Sequence, residues 1–397
     1  MKKTLISGLI AGTMLLGSFG LAGCGNKVDL AQSEEGVQTA IVSTDAPAPA
    51  ADMTEQVVTG NTVHSDTSLD YLSPLATLRA DPFLCKDEKT GKYYFTGSYP
   101  EYDRIDLRSA DTINGIATAQ PKEIWIRENL NIGHVWAPEL HYVMGQWVIY
   151  YAASETPGDI WNIKCRALRC KGDDPMNDEW EKVGEIERAF GDRSSFTGRM
   201  SLDMTVFENK GRWYAIWAET GRPNSNLYLA EMETPFKLKT APILITKPEY
   251  AWETDREKVN EGPAVLKNAG KIFVSYSASA TGYEYCMGLL EISEDADILN
   301  VGNWKKRSSP VFKTDEKRKI YGPGHNSFVK GDNDEWLCIL HFRNYKDIIG
   351  GNNNSLYDHN RHAHVMKLQF DEDGAPLFDF GEGDLFNTPF KNDGKKD

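Results

Sequence analysis

The 397-residue chain carries 58 Asp and Glu against 44 Lys and Arg, a net charge of −14, and 40% of its residues are hydrophobic. That balance buries a core and excludes disorder throughout, while the negative charge repels phosphate backbones and excludes a nucleic-acid partner. Aromatic residues reach 11%, with 10 Trp and 17 Tyr, and flat rings in that number suit sugar faces as well as packing.

In chain order, Met1, Lys2 and Lys3 form a positive start, and the apolar stretch from Leu5 to Leu21 completes a secretory signal over residues 1–23. Leu21-Ala22-Gly23-Cys24 resembles the bacterial lipobox, which implies lipidation of Cys24 and a protein held on the extracellular face of the bacterial cell membrane. A plain signal peptide, or a short anchor with an incidental Cys, is the alternative. Residues 24–68 are poor in aromatics, contain Ala46-Pro47-Ala48-Pro49, and read as a disordered tether spanning roughly 35–40 Å. The remaining cysteines, Cys85, Cys165, Cys170, Cys286 and Cys338, are odd in number and lack metal-type spacing, so no disulfide framework is expected.

The folded region, read as one domain over residues 69–390, contains a hidden repeat. A turn residue followed by an aromatic-rich strand recurs at Gly91, Gly145, Gly211, Gly270 and Asn333, with spacings of 54, 66, 59 and 63. A short strand precedes each turn, making five hairpins, and two further strand-like runs follow each one. In the last repeat these are His362 to Phe370 and Pro376 to Phe380. Five repeats of four strands predict an all-β, five-bladed β-propeller with four-stranded blades. A β-sandwich with irregular hairpins and a β-helix are the competing architectures, although β-helix repeats are much shorter.

In a propeller the first strand of each blade lines the central channel, so polar residues opening those strands converge on the axis. Asp81, Asp203 and Glu261 lie 10, 8 and 9 residues before their hairpin glycines, and His325 lies 8 before Asn333. Three carboxylates and a His aimed at one axis repel one another and cost desolvation energy, which marks a functional site. Singly, Asp81 before Pro82 and Glu261 before Gly262-Pro263 also read as turn residues; the conjunction across repeats is the signal. Paired carboxylates beside aromatic rings suit glycoside hydrolysis, in which one protonated acid serves the leaving oxygen and one carboxylate activates water or attacks. The third carboxylate tunes the acid by like-charge repulsion. His325 either satisfies backbone groups in the channel or ligates a cation. His362 and His364 read as strand residues rather than zinc ligands.

The segments Arg79-Ala80-Asp81-Pro82-Phe83, Val135-Trp136-Ala137-Pro138-Glu139, Leu202-Asp203-Met204-Thr205, Asn260-Glu261-Gly262-Pro263 and Tyr321-Gly322-Pro323-Gly324-His325 together resemble glycoside hydrolase family 43 from about Pro74 to Asp373. The resemblance implies a five-bladed propeller and an inverting glycosidase, with Asp81 as general base, Glu261 as general acid and Asp203 tuning and orienting the acid. Trp136 then walls the pocket or stacks on the pentose, and Arg361 meets sugar hydroxyls or holds a catalytic carboxylate. No cofactor is required; relatives often hold calcium in the channel, which makes His325 the metal candidate and also a substrate-side residue. Tyr99 to Arg104, Asn224 to Tyr228 and Ser275 to Thr281 resemble the α-L-arabinofuranosidase branch. The expected substrate is a plant cell-wall oligo- or polysaccharide, with arabinose released from arabinan or arabinoxylan. A β-xylosidase of the same family, a retaining fructan-type hydrolase or transferase on a similar propeller with Asp81 as nucleophile, and a tethered, non-catalytic glycan-binding lipoprotein are the rivals. The chain departs from the family at His359 and at Ala363-His364, flanking Asn360-Arg361-His362. Nothing in the sequence calls for an oligomer, so a monomer is expected.

Overall fold

The computed structural model describes residues 71–381, apart from 128–133, 157, 160, 199, 222–223 and 349–353. The signal peptide, Cys24, the tether and the end of the expected domain beyond residue 381 lie outside the described residues. Apart from three 3₁₀ turns, the secondary structure described is β.

Blade one is the sheet β1 (Ala80–Lys86), β2 (Tyr93–Ser98), β3 (Arg104–Ala110) and β4 (Lys122–Ile126). Blade two is β5 (Val135–Val143), β6 (Gln146–Ala153), β7 (Lys164–Cys170) and β8 (Trp180–Glu185). In blade three, β9 (Met200–Asn209), β10 (Arg212–Gly221) and β11 (Asn224–Thr234) are followed by β12 (Lys237–Leu238) and β13 (Ile243–Thr246), both paired with β11. Blade four is β14 (Asn260–Asn268), β15 (Lys271–Ala278), β16 (Cys286–Ser293) and β17 (Lys305–Lys306). Blade five is β18 (Tyr321–Lys330), β19 (Trp336–Arg343) and β20 (His362–Lys367), after which β21 (Gln369–Phe370) and β22 (Pro376–Leu377) pair with each other.

The first hairpin of blades two, three and four turns through two residues in left-handed conformation, Met144-Gly145, Lys210-Gly211 and Ala269-Gly270. This geometry matches the twist of paired strands and explains the recurring glycine. The middle strands read as unbroken apolar runs because each is covered on both faces. On β2, Tyr93 and Phe95 join Leu337 and Ile339 of blade five, while Tyr94 joins Leu140 and Ile149 of blade two. On β19, Cys338 and Leu340 pack instead with Phe273 and Met287 of blade four. The cores between blades two and three, and between three and four, are built in the same way around Trp217 and Ile216. Five inter-blade cores and the mutual packing of β1, β5, β9, β14 and β18 close the ring.

The outer edge of blade five differs from the expected one. The run at Pro376 to Phe380 supplies β22, which pairs with β21 rather than with β20. Beside β20 lies the chain preceding blade one: the Ala363 N–H donates to Ala76 O at 2.8 Å, and the Leu75 N–H donates to Ala363 O at 2.7 Å. The ring is therefore latched by its own beginning. His364 serves this latch, with Nδ1 2.8 Å from Ser73 Oγ and its ring stacked on Phe342. His362 Nδ1 accepts the Leu78 N–H at 2.9 Å. The departure at Ala363-His364 thus falls on a strand edge, and both histidines are strand residues as expected. Cys85, Cys165, Cys170, Cys286 and Cys338 are all free thiols.

Candidate active site

Each innermost strand carries a residue with positive φ at its start: Asp81 (53°), Ala137 (44°), Asp203 (56°), Gly262 (54°) and His325 (44°), with Gly322 (61°) a second one in blade five. In all five blades the pairing register with the second strand breaks at this point. Such a bulge re-aims side chains, and a non-glycine residue held there costs on the order of 1 kcal/mol, a strain that clusters at functional sites. Gly262 is needed twice over, because a Cβ there would also sit 3.1 Å from the His325 ring. In blades two to five the kinked residue lies eight positions before the turn residue; in blade one the hairpin loop is longer. Glu261 is the exception in register, standing one residue before the kink.

These kinks bring Asp81, Asp203, Glu261, His325 and Trp136 to one cavity of about 610 Å³, which Arg361, just before β20, also lines. That volume accommodates a small sugar with part of its aglycone. Asp81 is buried; its Oδ2 accepts the Ser98 hydroxyl, and its Oδ1 lies 3.3 Å from His325 Nδ1 and 3.6 Å from Arg361 Nη1. The Asp81 N–H donates to His341 Nδ1 at 3.0 Å, so that nitrogen bears no proton. Burial, with the Arg361 guanidinium next in weight, holds His341 well below the usual imidazole range. Arg361 is fixed in turn by the Tyr102 hydroxyl at 2.9 Å.

Asp203 Oδ2 accepts the Gly262 N–H at 3.0 Å and stands 3.9 Å from His325 Nδ1. Burial first, then the Glu261 and Asp81 carboxylates, push Asp203 well above the ordinary carboxyl range. Glu261 Oε1 accepts the Tyr285 hydroxyl at 2.8 Å. Burial pushes Glu261 up to about 7; Asp81 and Glu257 add to the rise, and Tyr285 and Arg361 oppose it. The buried Asp203 and the half-buried Glu261 carboxyls are each raised and repel one another, which favours a proton on one of the two.

The cavity's aromatic side is built by Trp136, 5.9 Å from Trp161 between ring centroids and stacked on His134 at 5.3 Å. The Trp136 indole N–H is buried with no acceptor among the described residues, which leaves a donor for a hydroxyl. His359 meets Tyr102 edge to face at 6.0 Å. Among the described residues no group of three or more His, Cys, Asp and Glu is disposed to hold a metal ion. Calcium prefers six to eight oxygens, and His325 offers a nitrogen already facing two carboxylates, so the residues present do not fit that ion.

The family model described as "Glycosyl hydrolases family 43" matches residues 71–376. The chain belongs to that family. This family 43 chain is 42% identical over 323 residues to the extracellular exo-α-(1→5)-L-arabinofuranosidase of Streptomyces avermitilis, covering 80% of this chain and 65% of that protein. It is 41% identical to the protein of the same description from Streptomyces chartreusis, covering 70% of this chain and 84% of that one. The chain thus spans just under two thirds of the length of the first of these relatives. The crystal structure of an α-L-arabinofuranosidase from Lactobacillus brevis is 42% identical and superimposes with a TM-score of 0.74, covering 81% of this chain and all of that one.

Sequence reasoning missed Ser98, His341, Tyr285, Tyr102 and Trp161. Ser98 and His341 lie on second strands, where only cross-strand register reveals their place, and Tyr102 and Tyr285 lie just before third strands.

Proposed function

We propose that this protein is an inverting α-L-arabinofuranosidase that releases terminal arabinose from arabinan or arabinoxylan. Glu261 is the general acid, Asp81 the general base and Asp203 the residue that tunes and orients the acid. The observation carrying this reading is that three carboxylates from three blades meet in one cavity with the Glu261 carboxyl held near 7. In the reaction, Asp81 draws a proton from a water whose oxygen attacks the anomeric carbon from the face opposite the leaving group. The glycosidic C–O bond breaks and Glu261 gives its proton to the departing oxygen, which leaves the acid ionised and the base protonated. Asp203, bonded to the N–H of the residue after Glu261, keeps charge and backbone beside the acid in register. Arg361, with its partner Tyr102, holds Asp81 and stands beside the bound sugar.

The names of the relatives support arabinofuranose as the sugar and an exo mode, and they support action outside the cell. Ser355 and Leu356 line the cavity beside Tyr102, whose hydroxyl donates to the Leu356 carbonyl. Tethering through Cys24 would keep the enzyme at the cell that takes up the released sugar. The protein is read as a monomer acting without a resident cofactor.

The test is hydrolysis of 4-nitrophenyl α-L-arabinofuranoside and β-D-xylopyranoside by a form beginning near residue 68, beside Glu261→Ala, with proton NMR of the first anomer released. Arabinoside turnover with inverted configuration, reduced in the variant, supports the proposal. A preference for the xyloside moves the reading to a β-xylosidase. Oligosaccharide binding without turnover moves it to a glycan-binding lipoprotein.

A further inference from the structure

The kinks of neighbouring blades are tied together by one recurring device. The residue of the second strand opposite the position before each kink is Ser98, Ala152, Ala218, Ser277 and His341 in blades one to five. Wherever that residue has an acceptor, it takes the kink N–H of the next blade. Ser98 Oγ accepts the Ala137 N–H at 2.9 Å, Ser277 Oγ accepts the His325 N–H at 2.7 Å, and His341 Nδ1 accepts the Asp81 N–H at 3.0 Å. Blade three has Ala218 there, and its Asp203 reaches across to the Gly262 N–H itself. In each case the acceptor comes from the preceding blade.

Ser98 stands out because the same hydroxyl also bonds Asp81 Oδ2. A hydroxyl has one proton, and once its oxygen accepts the Ala137 N–H that proton is directed to the carboxylate. Ala137 holds its N–H there from a left-handed backbone, with φ of 44° and Pro138 following. Ser98 is 1% exposed, so water does not compete, and it is absent from the cavity lining, so it does not meet the sugar. We propose that Ser98 is a positioning residue for the Asp81 carboxylate, oriented by the left-handed backbone at Ala137 in the next blade. This rests on the reading of Asp81 as general base.

The charged and titratable groups facing Asp81 are His325, His341, Arg361, Tyr102, Tyr285, Asp203 and Glu261, and all of them remain in Ser98 variants. Removing a donor to the ionised carboxylate favours its protonated form, so the acidic limb of kcat/KM moves to higher pH. The experiment compares pH profiles of Ser98→Ala, Ser98→Thr and Ser277→Ala in the full chain on 4-nitrophenyl α-L-arabinofuranoside, with thermal midpoints recorded alongside. Ser98→Ala is expected to lower kcat by on the order of 10–100-fold with KM within about twofold, and to shift the acidic limb upward. Ser98→Thr keeps the hydroxyl and restores the limb. Ser277→Ala removes the same kind of backbone cap without touching Asp81 and leaves that limb in place.

An acidic limb unmoved in Ser98→Ala, whatever its thermal midpoint, overturns the proposal, as does a shift of equal size in Ser277→Ala. Should Ser98→Ala fail to fold, Ser98→Cys retains the volume with a weaker donor and must shift the limb in the same direction. Asp81→Asn run in parallel separates the two readings: near-native activity in that variant removes the general base itself, whereas a crippled Asp81→Asn beside an unaffected Ser98→Ala removes only the role of Ser98.

Discussion

The two sides of the cavity hold the same functional group in opposite surroundings. Around Asp81 stand the Arg361 guanidinium, 3.6 Å from Oδ1, the His325 imidazole, 3.3 Å from the same oxygen, and the Ser98 hydroxyl on Oδ2, while the unprotonated His341 Nδ1 holds the Asp81 N–H. Around Glu261 there is burial, the neighbouring Asp81 and Glu257 carboxylates and one phenol from Tyr285, with the Arg361 charge last in weight. Donors and cations favour an ionised carboxylate; burial among like charges favours a protonated one. Under the proposed roles, the difference teaches that what a carboxyl does with a proton follows from its neighbours, since the side chains are nearly the same.

The largest expected effect breaks this comparison at its poles. Asp81→Asn and Glu261→Gln should each reduce kcat/KM by on the order of 10²–10⁴ on an arabino-oligosaccharide. With a 4-nitrophenyl leaving group, which needs little protonation, Glu261→Gln should recover much of its rate while Asp81→Asn stays equally impaired. Steady-state kinetics on both substrates checks this, and recovery in Asp81→Asn instead would exchange the two roles.

A second prediction reads the same asymmetry in stability. The Glu261 carboxyl is raised from its ordinary 4.5 to about 7 in the folded protein, so the stability it contributes is full below 4.5 and is lost as pH rises through 7. Glu261→Gln, neutral and of the same shape, lacks this loss. Its thermal midpoint relative to the native protein should therefore climb by several degrees between pH 4.5 and 8, as scanning calorimetry would record. Asp203 is raised by burial and then by the Glu261 and Asp81 carboxylates, so loss of the Glu261 charge lessens its own decline in the variant and adds to the climb. A constant difference across that range would mean that burial does not hold the proton on Glu261.

Within this pattern, Asp81, Asp203 and His325 were legible because a repeat places them at kinks whose distance from the hairpin turn is nearly constant. Glu261 was found by the same count although it stands one residue before its kink, which is why its spacing of 9 differs from the 8 of Asp203. Trp136 and Arg361 came through the family motifs, and both reach the cavity. Ser98 and His341 were not legible, because their place depends on cross-strand register past a bulge, and a repeat with Ser, Ala, Ala, Ser and His at equivalent positions leaves no residue-type signal. The outer edge of blade five was misplaced for a related reason. An extended run at Pro376 and another at Leu75 have equal claim to β20 in sequence, and only closure of the ring decides between them.

The phenol beside the acid gives a smaller effect. Tyr285 donates to Glu261 and favours its ionised form, opposing the rise. Tyr285→Phe keeps the ring stacked on His341 at 5.8 Å and removes only that donor. The acid then stays protonated to higher pH, and the basic limb of kcat/KM should move up by as much as about one unit. A downward move would mean that the phenol supports the protonated acid instead.

The smallest expected effect has the opposite sign and isolates the contribution of charge. Glu257 is exposed at the cavity, where its carboxylate adds to the rise of Glu261. Glu257→Gln removes that charge without altering burial, so Glu261 loses its proton at lower pH and the basic limb should fall by about 0.3 of a unit at low ionic strength. Because solvent screens an exposed charge, the shift should vanish in about 1 M salt, whereas the shift in Tyr285→Phe, made by a buried hydrogen bond, should persist. Profiles of both variants at two salt concentrations thus separate the two influences on the acid. A Glu257→Gln shift that survived high salt would place the effect in the shape of the cavity rather than in its charge.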